Sequence, residues 1–541
     1  MDTIWKAKRI THNNGKERGE SIWTQKEYRN AKDDNHDQEI KEDDSERLNQ
    51  EVQKSIGDKN KDDSMSLQSD ISTEVAVIGA GLAGVLTAYM LQERGISVVI
   101  IEQNQIGSGK TKNTTAKITS QHGLIYQKLL RYKGEDRAKE YARANQMAIN
   151  KFEEIANNLH IDCDYERLPN YIYSLNNEDK IRREVEAAKR LGLPATYTKE
   201  TTLPFQVKAA IRFDNQAQFH PIKFLEGVAK KLTIYENTNI IEVKKDGLII
   251  TEQGKIKAKS IVIATHYPFI NTPGYYFLRL HQERVYLTAL QGWNNGMNTL
   301  DGMYLDDDKH GFTFRTYKDY LILGGGYHRA GDNNPINSYE KIETAAKKWY
   351  PGSSIKYTWS NQDCMTPDDV PYIGRYSAKT PNIYVATGFN KWGMSSSMVA
   401  AQIISDMIIS KESEYQTVFY PRRLMFSGSN VFLKDTGIIA KSLLSEHLKI
   451  PQDKLADIQP NKAGVVNYNG QKYGVYRDKE DRYYFVTTKC PHLGCSLEWN
   501  QNELTWDCPC HGSRFDYRGR LINNPATSDA FDTCQRKLIK K

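Results

Sequence analysis

Cysteine and histidine are concentrated at one place in this sequence. CPHLGC (490–495) and CPCHGS (508–513) hold four of the chain's seven cysteines and two of its twelve histidines. The spacing Cys490-x-His492 and Cys508-x-x-His511 puts two thiols and two imidazoles on two short loops. A tetrahedral zinc site would accept that set. Zinc ribbons and fingers do not usually pair C-x-H with C-x-x-H, however. Mixed ligation, two Cys on one iron and two His on the other, suits a [2Fe–2S] centre. Imidazole in place of thiolate reduces the cluster's negative charge and raises its potential. Cys495 and Cys510 are the remaining pair in these loops, whereas Cys163, Cys364 and Cys534 have no such context and read as ordinary residues.

A second constellation is Gly79-x-Gly81-x-x-Gly84, inside EVAVIGAGLAGVLTAYMLQERGISVVIIEQ. The first glycine allows a tight turn, the second lets backbone approach a pyrophosphate, and the third permits close helix–strand packing. A helix starting there adds N–H groups and a favourable dipole for the anion. Glu102, at the end of the next strand, is placed to accept hydrogen bonds from ribose hydroxyls. The chemistry implied is binding of FAD or NAD.

These groups need elements to hold them. Val75, Val77 and Ile78 predict a buried strand, and a helix follows to about Arg94 with Gly95 at its end. Ser97–Ile101 predicts a second strand and completes a βαβ unit. Further strands are predicted at LIITEQ, SIVIAT, LILGGG and NIYVATG. After Gly464, VVNYNGQKYGVYRD and RYYFVTTK read as short strands broken by turns, a small all-β module around the Cys/His loops.

At 541 residues the chain is too long for one core. An N-terminal extension is expected over 1–73, mostly disordered, because residues 32–64 are dense in charge and nearly free of large apolar side chains. A dinucleotide-binding domain is expected over 74–425, a linker over 426–454 and the cluster module over 455–541. The net charge is +7 with basic residues spread along the chain, which gives no support to a nucleic-acid partner. No apolar run approaches the roughly 18 residues of a bilayer span. The first residues, MDTIWKAKRITHNNGKER, lack the apolar segment of a secretory signal. A cytoplasmic protein is expected, where cysteines serve as metal ligands or redox groups more readily than as staples.

Residues 74–410 resemble the D-amino-acid-oxidase-like family of FAD-dependent oxidoreductases. The motifs behind this are GxGxxG with Glu102, the small-residue stretch GSGKTKNTTAKITSQHG (107–123), and DDVPYIGRYSAKTPNIYVATGFNKWGMSSSMVAAQIISDMI. The resemblance implies a Rossmann-type FAD-binding domain with an inserted substrate-domain sheet. It implies that the FAD pyrophosphate lies over Gly79, Gly81 and Gly84 and the adenosine ribose on Glu102. Thr114, Thr115, Ala116 and Lys117 match the segment that approaches pyrophosphate and flavin, and Val243 matches a residue whose backbone meets adenine. Gly374, Gly388, Trp392, Gly393 and Met394 match the closing segment near the isoalloxazine. Core packing is the alternative reading of Trp392 and Met394.

Residues 455–535 are similar to the Rieske [2Fe-2S] family through CPHLGC, WDCPCHGSRFD, the turn at Arg518-Gly519-Arg520, and Asn524-Pro525-Ala526 at the family's proline loop. This implies cluster ligation by Cys490, His492, Cys508 and His511, and a disulfide between Cys495 and Cys510. Two buried free thiols are the alternative for that pair. Ser513 matches a hydroxyl that hydrogen-bonds a bridging sulfide. Phe515 stands where high-potential members carry a tyrosine donor, which implies a potential somewhat below the highest. Asn524 stands where glycine is usual.

The whole arrangement looks like bacterial oxidoreductases that fuse these two domains. It implies an enzyme whose flavin oxidises a small organic substrate, amine- or amino-acid-like by family analogy, and exchanges electrons with the cluster and with an unidentified acceptor or donor. The alternative is a redox sensor or electron-transfer protein with no small-molecule substrate. A Rieske oxygenase would need a further mononuclear iron site, and little chain follows the cluster motifs. His122, Arg284, Arg315 and His328 are candidate substrate-side groups, an arginine being able to clamp a carboxylate. Each also reads as structural, and no catalytic base is named.

Overall fold

The computed structural model describes residues 3–6, 19, 21–24, 66–294, 299–332, 338–423, 437, 438, 442, 455–468 and 470–531. Most of the expected linker, residues 32–64 and Cys534 lie outside the described residues.

The strand Ile71–Ile78 runs parallel to Val98–Ile101 on one side and to Lys255–Ile263 on the other, with Val77 opposite Ile100 and Val262. Its last four residues, Val75–Ile78, are all buried, the near-continuous apolar run of a parallel strand covered on both faces. The connecting helix, Leu82–Gln92, is buried over almost its whole length because it packs against a second apolar helix, Gly393–Ile409. Gly95, just beyond it, has φ +78° as the helix end requires. These strands belong to a nine-stranded sheet that also takes in Ile240–Lys244, Leu248–Thr251 and Thr380–Thr387.

The N-terminal extension is not wholly outside the fold. Thr3–Lys6 pairs antiparallel with Ile240–Lys244 at the edge of this sheet. Trp23 is 0% exposed, with its Nε1 donating to the carbonyl of Thr114 at 2.7 Å. The boundary expected at residue 74 falls inside the strand Ile71–Ile78.

A second nine-stranded sheet is the inserted one. It runs Ser354–Met365, His281–Gln291, Tyr320–Arg329, Thr313–Tyr317, Met303–Asp306, Glu166–Ser174, Ala209–Gln218 and Lys117–Ile118, with Ala195–Thr198 on Ala209–Gln218. The C-terminal module has a three-stranded sheet, Lys462–Tyr468, Gln471–Arg477 and Tyr483–Thr487, and a four-stranded one, Glu498–Asn500, Thr505–Asp507, Arg514–Asp516 and Leu521–Asn523. Both are antiparallel.

The outermost strand pair of the inserted sheet sets the relation between the two halves. His281–Gln291 and Ser354–Met365 are antiparallel neighbours with Arg284 opposite Gln362. Successive side chains point to opposite faces. Val285, Leu287, Asn361 and Asp363 line a cavity on one face. Gln282, Arg284, Tyr286 and Gln362 reach the C-terminal module on the other. At this strand pair one layer of backbone stands between the cavity and the contacts with that module. Among the described residues no helix is long and apolar enough to cross a membrane.

Candidate functional site

The cavity begins where the strand Ile71–Ile78 delivers the chain to Gly79. That residue has φ +107°, and a Cβ there would lie 2.7 Å from the carbonyl oxygen of Ala264. A Cβ on Gly84 would lie 1.9 Å from the carbonyl oxygen of Gly79, so the helix can sit on the turn only without it. Gly81 differs: a Cβ there would meet only the Thr111 hydroxyl, at 3.6 Å, and Gly81 itself lines the cavity. Gly81 offers no side-chain cap to the helix that follows; the N–H of Leu82 donates to the Thr111 hydroxyl at 3.1 Å, which leaves the next N–H groups of the first turn for an anion. Glu102 lines the same cavity and accepts from the N–H groups of Ala80 at 2.8 Å and Asn104 at 2.9 Å. Burial raises its pKa against those donors.

Thr114, Thr115 and Lys117 line the cavity together with Trp392, Gly393 and Met394. The last three open the helix Gly393–Ile409, which also lacks a side-chain cap. Two helix N-termini therefore meet one cavity. Ala116 is buried with φ +55°, and its carbonyl accepts from Arg315 at 2.9 Å. Lys117 donates from Nζ to the carbonyl of Tyr304 at 2.7 Å and to the Thr313 hydroxyl. Burial pulls its pKa well below that of an ordinary lysine.

Besides Gly84 and Ala116, three expected residues do not line the cavity. Val243 is buried in mid-strand between Trp5 and Ile249; the lining residues of that segment are Thr238, Asn239 and Ile240, just before it. Gly374 faces Pro421 and Met407, and Gly388 faces Thr366 and Leu280. The motif match located the segments, but backbone direction decides which residue looks inward.

None of the four substrate-side candidates lines the cavity either. His122 stacks on Trp392 at 4.8 Å between ring centroids, with its ring nitrogens on Tyr141 Oη and the carbonyl of Thr119. Burial lowers its pKa to about 3. Arg315 is spent on the carbonyls of Thr115, Ala116 and Phe219. His328 stacks on Tyr286, and Arg284 forms a buried ion pair with Glu503. The charged groups that do line the wall are Asp363, Lys391, Lys110 and Lys117 beside Glu102. Burial pushes the carboxyl of Asp363 up to about 6 despite nearby Lys391. Trp5 of the N-terminal strand also lines the wall, beside Phe269. A four-residue strand carries too short a pattern to be read from sequence.

In the C-terminal module the two Cys/His loops face one another. Cys490, Cys508, His492 and His511 are all buried, and the two imidazole rings lie 4.9 Å apart. The thiols of Cys490 and Cys508 adjoin; that contact and burial push Cys508 well above the ordinary thiol range. Each loop is closed by its own backbone, Gly494 N–H to Cys490 O and Gly512 N–H to Cys508 O, both at 2.9 Å. Cys495 and Cys510 form the expected disulfide, at 2.12 Å, tying one loop to the other. The Ser513 hydroxyl sits beside Cys490 and accepts from the N–H of Ala526 at 2.9 Å. Phe515 is fully buried in the module's core. Two thiols and two imidazoles, dry and on braced loops, fit a [2Fe–2S] cluster.

The module is seated on the larger domain with its ligand loops inward. Phe277 meets both His492 and His511 edge-on at 6.2 and 6.0 Å. His492 Nε2 lies 3.0 Å from Asn271 Oδ1. The loop from Leu521 to Thr527 reaches past the sheet and forms part of the cavity wall itself.

Comparison with known proteins agrees with this geometry. Residues 74–407 match the family model for FAD dependent oxidoreductase, and residues 449–535 match that for the Rieske [2Fe-2S] domain. The chain is 36% identical over 477 residues to the Rieske 2Fe-2S iron-sulfur protein YhfW of Bacillus subtilis, covering 85% of this chain and 93% of that one. It is 20% identical over 374 residues to gamma-glutamylputrescine oxidoreductase of Escherichia coli, covering 63% and 85%. Among solved structures, L-proline dehydrogenase from P. horikoshii superposes with a TM-score of 0.55 at 19% identity, over 66% of this chain and 98% of that one. At that identity the likeness shows the fold alone.

Proposed function

Because the chain belongs to the FAD-dependent oxidoreductase family and carries a C-terminal Rieske [2Fe-2S] domain, we propose that it oxidises a small amine or amino acid and passes the electrons on through its cluster. FAD, when bound, takes up two electrons as hydride and releases them singly, and the cluster takes one at a time. Gly79, Gly81 and the first turn of Leu82–Gln92 would hold the pyrophosphate, Glu102 the ribose, and the segments Thr114–Lys117 and Trp392–Met394 the flavin end. Cys490, His492, Cys508 and His511 would hold the cluster.

The observation that carries the reading is a shared wall. Leu521–Thr527, from the cluster module, lines the same cavity as Gly81, Glu102 and Trp392. A substrate class follows from the charges on that wall. Asp363 suits an ammonium group, and Lys391, which pairs with Glu283 at 2.7 Å, suits a carboxylate. An amine oxidised here gives up hydride from carbon and a proton from nitrogen, leaving an imine that water hydrolyses. Its two electrons leave one by one to an external one-electron acceptor.

Anaerobic photoreduction of the purified protein followed by electron paramagnetic resonance tests the coupling. A Rieske signal should grow as the flavin bleaches. A signal obtained only with dithionite would overturn the coupled reading. Turnover with a panel of small amines and amino acids against an artificial one-electron acceptor tests the substrate class.

A further inference from the structure

Three amide side chains hold the cluster loops against the cavity. Gln282 is 1% exposed. Its Nε2 donates to the carbonyl of His511 at 2.7 Å and to that of Asn524 at 3.0 Å. Gln362, 0% exposed, donates to the carbonyl of Gly512 and to Gln282 Oε1, both at 2.7 Å. Asn524 returns the contact, its Nδ2 donating to the carbonyls of Tyr267 at 2.8 Å and Thr265 at 3.2 Å. Thr265 lines the cavity, as does Asn524.

The chemistry of this seam is one-sided. Gln282 and Gln362 give their amide protons to main-chain carbonyls at and beside a ligating histidine, and Asn524 gives its own to main-chain carbonyls of the larger domain. Buried amide donors must be satisfied, and here the partners are backbone atoms of the other domain. Separation of the domains would strip at least five such bonds at once. A hydrophobic interface could slide, whereas this one has a single register.

Resting on the proposed coupling of flavin and cluster, we propose that Gln282, Gln362 and Asn524 are positioning residues that latch the loops of His511 and Leu521–Thr527 to the cavity wall. Electron exchange then occurs with the cluster module held in place, and no swing of the module is needed. The chain relation agrees: Ala526, two residues after Asn524, donates to the Ser513 hydroxyl beside Cys490. The loop that the latch grips at the cavity also braces the cluster pocket.

The test uses full-length protein with both cofactors and compares wild type with Asn524→Ala and Gln282→Met. Two readouts are taken: hydrogen exchange of the amides of Asn524 and Thr527, and the rate at which the cluster is reduced after the flavin is photoreduced. In the wild type the loop amides should be protected. Each variant should lose that protection and slow the transfer on the order of tenfold or more, because ångström-scale misplacement carries penalties of that size. The Rieske line shape should persist in both, since no ligand is changed. Transfer at the wild-type rate in either folded variant would overturn the latch and leave the coupling intact. An unprotected loop in wild type would overturn it without recourse to variants. Protection without any transfer in wild type would sink the coupling itself, and the latch's role with it.

Discussion

Arg284 and Glu503 meet at 3.3 Å across the boundary between the two domains, with neither side chain exposed to solvent. Arg514 reaches the same carboxylate at 3.4 Å, and the Tyr339 hydroxyl donates to it at 3.1 Å. The cluster module is thus fixed to the inserted sheet by a buried ionic cluster as well as by amides. Glu503→Ala leaves two buried guanidinium groups without that carboxylate. A loss of about 3–5 kcal/mol is expected in denaturant unfolding of the whole chain. A change near the value for an exposed pair, under about 1 kcal/mol, would contradict the buried-pair account.

The second and third glycines of the dinucleotide turn should fail differently. Gly84→Ala drives a methyl into the carbonyl oxygen of Gly79, a backbone atom that cannot turn aside. Stability should fall by roughly 1–3 kcal/mol or more, with loss of FAD. Gly81→Ala meets no backbone and should unfold within about 0.5 kcal/mol of wild type. Its methyl enters the cavity, so FAD affinity should fall on the order of tenfold or more, about 1.4 kcal/mol. Thermal unfolding of the apo chains and flavin titration separate the two effects.

The disulfide between Cys495 and Cys510 closes a loop with a sequence separation of 15. The chain-entropy model assigns about 3 kcal/mol to a loop of this length. Replacing both cysteines by serine should keep the four expected ligands yet release the cluster at lower denaturant concentration. The decay of the Rieske signal against guanidinium measures this. Coincident decay in both proteins would mean that the bridge carries none of the module's stability.

His122 supplies a pH test. Its folded pKa is lowered to about 3 by burial, whereas an unfolded histidine titrates near 6.5. Between those values the unfolded chain binds the extra proton, so stability rises with pH and is fully present above about 6.5. As pH falls toward 3 the contribution is lost, at up to about 1.4 kcal/mol per pH unit. Glu184, raised to about 7 by burial, works in the opposite sense between about 4.5 and 7. The comparison therefore has to be wild type against His122→Gln, in which only the histidine slope disappears. An unchanged slope would show that His122 is protonated in the folded protein.

What could be read directly from the sequence was chemistry held in short spans. Cys490, His492, Cys508 and His511 come as two spaced pairs on loops, and Gly79, Gly81, Gly84 and Glu102 belong to one βαβ unit. In both cases residue type, spacing and local element together restrict the chemistry, so the cofactor class follows before any tertiary contact is known. The β module was likewise legible, through short strands and turns, whereas the inserted sheet was implied by the family resemblance, with only LILGGG of its strands read from the sequence.

The tertiary structure alone decided what faces what. Arg284 reads as a carboxylate clamp, but its partner stands more than two hundred residues away, on the other domain. Val243 lies in the right segment but faces the core, because one step along a strand reverses the face a residue presents, and Gly374 and Gly388 abut Met407 and Thr366. Trp5 and Trp23 sit in a stretch that reads as an extension, yet one lines the cavity and the other is fully buried beside Thr114. Gln282, Gln362 and Asn524 carry no motif at all. An amide is generic in sequence and becomes specific only when a backbone carbonyl from a distant part of the chain is brought within 3 Å of it.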